Sequence, residues 1–177
     1  MMKLNYLGLI GMLACGAYAV EGQDDAGCTI NIKNSNKKSY VTQHVIEAPG
    51  LHDSHHLRSV QTKQDITDTS MCSHLSSDDE LVKKDAYFVT DTHDHDGNGS
   101  GHEVFTTKQG HQIFLKTVSA SHRIPDSDKA DEIVVGEVVG GTGPYQGVTG
   151  HYQSKNSFDW KKKQIESVQQ VLELQKD

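Results

Sequence analysis

The sequence predicts an all-β protein, a small closed antiparallel barrel of about eight strands. Short runs rich in β-branched and aromatic residues recur along the chain, separated by turn residues at spacings of about 8–12 residues. A glycine-dense segment, residues 140–150, joins two of these runs as a hairpin. Closing the sheet into a barrel removes the exposed edges that so many short strands would otherwise leave.

The chain begins with a segment that is typical of a secretory signal peptide. Lys3 precedes an apolar stretch at residues 7–14, and Ala17-Tyr18-Ala19 provides a small-x-small cleavage site. The apolar stretch is too short to span a bilayer. We therefore expect residues 1–19 to be removed and the protein to be secreted or periplasmic. The alternative is a lipoprotein, since Leu13-Ala14-Cys15 partly resembles a lipid-attachment site.

Composition limits the partners of the remaining chain. Residues 20–27 are polar and are predicted to be a flexible lead-in, and residues 28–177 are long enough for one barrel domain with its own core. The full chain has a net charge of −7, and losing Lys3 makes the remainder more acidic still, which disfavours nucleic acid and anionic membrane surfaces as partners. No later segment approaches the roughly 20 apolar residues of a membrane span, so no integral membrane segment is expected.

Alternating patterns predict most of the individual strands. On the run around Ala86, alternation places Tyr87 and Val89 on one face and Ala86 and Phe88 on the other. Residues 122–131 are predicted to be a loop. The tail, residues 160–177, fits a helix or a strand by pattern alone, and the β context favours a strand. The predicted strands cover residues 28–33, 39–46, 59–68, 81–90, 102–107, 112–119 and the two runs of the glycine hairpin.

The glycine hairpin is the most distinctive feature of the sequence. Its turn needs residues that adopt positive φ, which glycine does without steric cost, and a proline with fixed φ. The glycines beyond the turn indicate a bulge, a bend or a close approach of another backbone. A dinucleotide-binding loop is disfavoured because the third glycine of that fingerprint and the following helix are missing. The structural turn residues are Gly140, Gly141, Gly143, Pro144, Tyr145, Gly147 and Gly150.

The run GGTGPYQGVTG resembles the signature of the allene oxide cyclase barrel-like family, bacterial relatives of plant allene oxide cyclases and dirigent proteins. A second element agrees with this resemblance, an aromatic strand at residues 86–91 that leads towards the Asp94–Gly99 turn. The resemblance implies a closed barrel whose interior binds hydrophobic or phenolic molecules and steers their cyclisation or coupling. It implies no redox cofactor, and it allows a homo-oligomer.

Three strand residues are candidates for the barrel interior. Tyr87, Glu103 and Glu137 lie on predicted strands, and a buried carboxylate can act as an acid or base. The first hypothesis is a protein that binds a small apolar or phenolic ligand without catalysis. The alternative is a cyclase or isomerase that uses the same cavity.

A second alternative is a periplasmic metal-binding protein that uses the segment around residue 95. Asp94, Asp96 and Asn98 match the opening of a calcium loop, in which oxygen ligands at alternate positions converge on the cation. His93 and His95 would share a strand face, and with His102 across the turn they offer three imidazoles to Zn²⁺. The same residues also suit a plain hairpin turn. No cofactor is expected, with Ca²⁺ or Zn²⁺ as the alternative.

Two cysteines remain after cleavage at Ala19, Cys28 and Cys72. An even pair in an exported protein predicts a disulfide. Closing that loop stabilises the fold by about 4 kcal/mol in the chain-entropy description. Two free thiols, or thiols shared with a metal, are the alternatives.

Overall fold

The computed structural model describes residues 27–34, 38–46, 50, 55–69 and 79–176. The predicted signal peptide and nearly all of the lead-in lie outside these ranges. The described chain forms nine strands and a 3-10 helix, with no α-helix. The strands are β1 Cys28–Asn34, β2 Lys38–Ile46, β3 His55–Thr69, β4 Leu81–His93, β5 Asp96–Thr107, β6 Gln112–Arg123, β7 Lys129–Gly141, β8 Val148–Asp159 and β9 Gln164–Lys176, and the 3-10 helix is Gly143–Tyr145.

All nine strands belong to one antiparallel sheet, which confirms the all-β antiparallel prediction. Their order along the sheet is β1-β3-β2-β9-β8-β7-β6-β5-β4. Two additional pairings, β1 with β9 and β3 with β4, connect strands that are apart in this order. Consecutive strands from β4 to β9 are neighbours, because each is joined to the next by a short connection.

The sheet has one buried face and one exposed face. On β6 the side chains of Ile113, Leu115 and Thr117 are buried, while Val118 is exposed, as the alternating pattern predicts. On β4, Ala86 is buried and Tyr87 lies on the exposed face. Side chains of alternate residues therefore form the core, and the intervening residues form the outer surface.

The apolar core is concentrated where β5 ends and β6 begins. Phe105 and Ile113 are fully buried there and pack with Leu174 of β9. The ring of Phe105 meets Tyr152 edge-on, with 5.5 Å between ring centroids. Burying each large apolar side chain contributes about 1.5–3 kcal/mol relative to exposure.

The glycine segment forms the predicted hairpin between β7 and β8. Pro144 occupies the start of the 3-10 helix, where its missing N–H costs no hydrogen bond. Tyr145 turns its side chain into the core. At Gly150 φ is +150°, and a Cβ would lie 1.9 Å from the Glu173 carbonyl oxygen. The predicted close approach of another backbone is therefore confirmed at Gly150.

Two segments settle questions that the pattern left open or answered incorrectly. Residues 164–176 form a strand paired with β8, so the strand interpretation of the tail is confirmed. The prediction that residues 122–131 form a loop is wrong at both ends of this range. Strand β6 continues to Arg123, and β7 starts at Lys129. The polar side chains of this stretch, such as His122 and Asp131, are exposed on paired strands, and polar composition alone does not prevent pairing.

Candidate functional site

The buried face of the sheet lines a partly open cavity of about 90 Å³ beside the apolar core. Phe88, Val134 and Phe158 supply apolar walls. Arg58, Glu132, Asn156, Glu103 and His95 bring polar groups to the same space. One water needs about 10–15 Å³ of such space, so the cavity can hold about six waters or a compound of about one small ring.

Strand alternation places Glu132 and Asn156 at the cavity. Glu132 is two residues from Val134 on β7, and both side chains point to the same face. Asn156 is directly opposite Glu132 on β8. The Asn156 Nδ2 amide donates a hydrogen bond of 2.8 Å to Glu132 Oε2. A carboxylate and an amide thus form one polar wall of a cavity that is otherwise partly apolar.

The orientation of the Asn156 amide is determined by two serine hydroxyls. Ser154 Oγ and Ser167 Oγ each donate to Asn156 Oδ1 at 2.7 Å. Because the Asn156 amide oxygen accepts hydrogen bonds from both serine hydroxyls, the amide nitrogen faces Glu132 and acts as the donor. This chain of hydrogen bonds holds the Glu132 carboxylate in position.

A buried ionic cluster lies between the cavity and the apolar core. Lys84 Nζ lies 2.9 Å from Glu103 Oε2 and donates 2.7 Å hydrogen bonds to Tyr152 Oη and Gln170 Oε1. Tyr152 Oη also donates to Gln170 Oε1 at 2.7 Å. Glu103, which lines the cavity, is therefore neutralised by a lysine behind it.

The cluster stabilises a charged lysine and a neutral tyrosine. Burial acts to lower the pKa of the Lys84 ammonium, but the Glu103 carboxylate and Tyr152 raise it above its usual range. Burial, followed by the charge of Glu103, raises the pKa of the Tyr152 phenol. Lys84 is thus an ammonium ion at neutral pH and is unsuited to act as a nucleophile.

Two hairpin connections meet where His95 borders the cavity. Asp94 and His95 form the turn between β4 and β5, with φ of 49° and 71°. The His95 ring stacks on Trp160, which begins the turn between β8 and β9, with 4.0 Å between centroids and 1° between planes. We call this contact the His95–Trp160 stack. It joins hairpins that are separated in the sheet by β6 and β7.

The surroundings of His95 disfavour its protonated form. Burial is the main cause that lowers the pKa of His95, and the charges of Arg58 and Arg123 add to the effect. His56 acts in the same direction, while Asp94 opposes it. Arg123 also lies 5.7 Å from the Trp160 ring centroid as a cation–π contact.

The three ligand candidates from the sequence lie on different faces of the sheet. Glu103 is buried and lines the cavity. Tyr87 is 47% exposed, and Glu137 is also exposed, so neither side chain borders this cavity. The sequence did not predict three of the polar residues that line the cavity, Arg58, Glu132 and Asn156. Glu132 could have been predicted, because alternation along β7 places it on the same strand face as Val134 and Val138.

The candidate metal ligands are distributed over separate surroundings. Asp96 Oδ1 accepts a 2.5 Å hydrogen bond from the Arg123 backbone N–H and lies 3.0 Å from His122 Nδ1. His95 is stacked on Trp160, and His102 is exposed in the middle of β5, opposite Tyr87. His93, Asp94 and Asn98 lie at or beside the β4–β5 turn.

Among the residues that the structure describes, no group of three or more His, Cys, Asp or Glu is arranged to hold a metal ion. Cys28 lies on β1 beside the core, but Cys72 is outside the described residues, so the disulfide remains a prediction. The described part of the chain has no helix that is both long and apolar enough to cross a membrane.

Comparison of the chain with protein-family models, curated proteins and solved structures found no match.

Proposed function

We propose that this protein binds a small neutral ligand, a single apolar or phenolic ring, in the cavity between Phe88, Val134 and Phe158. The observation that carries the proposal is the combination of these apolar walls with the hydrogen-bonded Glu132–Asn156 pair in one cavity. Binding sites for small molecules are typically apolar cavities with a few placed polar groups. A ring would contact the apolar walls, and a hydroxyl would donate to Glu132.

The charges around the cavity favour a neutral ligand. Arg58 and Glu132 are oppositely charged groups on the lining, and Lys84 compensates Glu103 from behind. An anionic or cationic ligand would add an uncompensated charge to this partly buried space, which is costly. The volume of about 90 Å³ limits the ligand to about one ring unless the walls move.

The proposal includes a sheet that closes around the cavity as a barrel. Its support is the pairing of β3 with β4, which runs from His55–His93 to Asp65–Lys83, together with the pairing of β1 with β9. Membership of the allene oxide cyclase barrel-like family, export through the signal peptide and the Cys28–Cys72 disulfide belong to the same proposal. Family membership and export rest on the sequence motifs, and the disulfide rests on an even cysteine pair in an exported protein.

Saturation-transfer NMR with phenol, benzene and benzoate tests the binding proposal. We expect phenol to bind best, because it fills the apolar space and can donate to Glu132. Benzoate should bind least, because it brings a second carboxylate to that wall. Val134→Phe fills the cavity and should abolish binding. Val135→Phe, the same change on the neighbouring exposed residue, is the matched control and should retain it.

Three results would reject this proposal: no binding of any ring, equal loss in both valine variants, or benzoate as the best ligand. A Val134→Phe protein that fails to fold would be replaced by Glu132→Gln. That change keeps the shape but removes the acceptor charge, and it should weaken phenol more than benzene.

A second candidate function is acid–base catalysis of isomerisation or cyclisation in the same cavity. The observation in its favour is the Glu132 carboxylate, which is held by Asn156 beside apolar walls where a carbon acid could bind. A positioned carboxylate can remove a proton from a bound ligand. Hydrogen–deuterium exchange next to the carbonyl of acetophenone tests this role. Exchange should be faster than in buffer, lost in Glu132→Gln and retained in Glu137→Gln.

A further inference from the structure

A second concave surface lies on the exposed face of the sheet, and Val60 and Phe88 border both this surface and the cavity. It is a groove of about 520 Å³ that runs from His44 on β2 across β3, β4 and β5 to β6. This volume is within the range of about 300–1,000 Å³ that is usual for small-molecule sites. Six side chains define what we call the outer groove: Tyr87, Val89, Ser100, His102, Lys116 and Val118.

The shape of the outer groove follows from strand register. Ser100 on β5 pairs with Val89 on one side and with Val118 on the other. The small serine lies between two larger side chains, so the surface is depressed along β5. Both valines are about half exposed, at 47% and 52%, and Tyr87 is 47% exposed. The groove therefore presents exposed apolar side chains on both sides of Ser100.

The charge of the outer groove differs from that of the whole protein. Its lining contains Lys116, His44 and His102 but no carboxylate, whereas the chain as a whole carries a net charge of −7. The nearest acidic residue in register is Glu137, which pairs with Lys116 from β7 and does not line the groove. A cationic centre beside an apolar strip suits a ligand with one anionic group and an apolar body.

We propose that the outer groove binds an amphiphilic monoanion, an aromatic or aliphatic carboxylate whose charged group contacts Lys116 and His102. The apolar body lies along Tyr87, Val89 and Val118. None of the six side chains that define the outer groove lines the cavity, and the site does not rest on the function proposed for the cavity. A second copy of the chain fits less well, because a two-fold dimer through this face would bring the Lys116 ammonium groups of the two copies onto the same surface.

Titration calorimetry with 2-naphthoate and 2-naphthol tests the charge requirement. The two probes share the apolar body and differ in the anionic group, and both exceed the volume of the cavity. We expect 2-naphthoate to bind more tightly, and added salt to reduce that preference. Lys116→Gln should weaken 2-naphthoate by about three- to five-fold, as is usual for one exposed ion pair, and should leave 2-naphthol nearly unchanged.

Two aspartate variants test the location. Val118→Asp places a carboxylate in the outer groove and should abolish 2-naphthoate binding. Val168→Asp makes the same change at a valine that is 68% exposed on β9, and it should have no effect. Circular dichroism establishes that both variants fold. A Val118→Asp protein that does not fold is replaced by Ser100→Glu.

The proposal is overturned if both probes bind equally, if neither binds, or if Lys116→Gln and Val168→Asp change the affinity alike. It is also overturned if the cavity-filling Val134→Phe variant loses 2-naphthoate, because the probe would then occupy the cavity. Protein that forms dimers, with the dimer lost in Val118→Asp and no probe bound, would assign the groove to a second copy instead.

Discussion

Lys84 Nζ and Glu103 Oε2 lie 2.9 Å apart, and both side chains are almost completely buried. The two residues come from neighbouring strands, and their cluster is completed by Tyr152 and Gln170 from β8 and β9. A buried pair of this kind contributes little net stability compared with apolar residues, but losing one partner leaves an uncompensated charge.

Lys84→Met should therefore destabilise the protein strongly, by about 3–5 kcal/mol. Urea unfolding followed by circular dichroism measures the change. The double variant Lys84→Met with Glu103→Leu should recover most of the loss, since no charge is then left in the interior and Tyr152 still bonds to Gln170. Lys83→Met is the control. Its ammonium is 2.7 Å from Asp85 but 40% exposed, so the cost should stay below about 1 kcal/mol. Similar losses at Lys83 and Lys84 would contradict this account.

The His95–Trp160 stack predicts a pH-dependent stability. The pKa of His95 is lowered in the folded protein, mainly by burial and also by Arg58 and Arg123. Near pH 7 both the folded and the unfolded chain hold His95 neutral. As the pH falls below the ordinary value of about 6.5, the unfolded chain binds the proton first, so the fold loses stability. The loss is complete below the lowered folded pKa.

His95→Gln should reduce this loss of stability between about pH 7 and about pH 5. Urea midpoints at the two pH values measure it. Trp160 is the single tryptophan, so its fluorescence also reports on the ring that contacts it. We expect a fluorescence transition below pH of about 6.5 that disappears in His95→Gln. An identical transition in both proteins would show that another group causes it.

Gly150 and Gly147 provide a test of backbone constraint in the glycine hairpin. A Cβ at Gly150 would lie 1.9 Å from the Glu173 carbonyl oxygen, whereas a Cβ at Gly147 would meet no atom within 4 Å. Gly147 has φ of +76°, so Gly147→Ala should cost about 1–2 kcal/mol for conformation alone. Gly150→Ala should cost clearly more, because β8 and β9 must separate. Equal unfolding free energies would argue against the close strand approach.

The position of the His95–Trp160 stack predicts an effect on ligand exchange. Trp160→Ala removes the contact between two hairpins beside the cavity and should speed both association and dissociation of phenol, with a smaller change in affinity. Line-shape NMR on the phenol resonances measures the rates. Trp160→Phe retains an aromatic ring against His95 and should keep the exchange slower than in Trp160→Ala. Unchanged rates in Trp160→Ala would show that ligands enter elsewhere.

The candidate site shows which structural features could not be predicted from the sequence. Alternation correctly separates Tyr87 from Ala86, yet it does not say which face is buried when both carry apolar residues. The sequence therefore gives no reason to prefer Glu103 over Glu137 as a cavity residue. In the structure Glu103 lines the cavity and Glu137 is exposed. Glu103 could be named as a candidate because it lies on a predicted strand. Its contact with Lys84 could not be predicted from the sequence.

The amino-acid sequence by itself determined the antiparallel β architecture and the hairpin at residues 140–150, because these depend on alternation, β-branched residues and glycine conformation over short distances. It left the tail open between a helix and a strand, and the pairing of β9 with β8 decided that question. Only the tertiary structure decided the interior chemistry. Tyr152 and Gln170 meet Lys84 through strand register, although they are 68 and 86 residues away along the chain. Register depends on the packing of the whole sheet, which no local pattern contains.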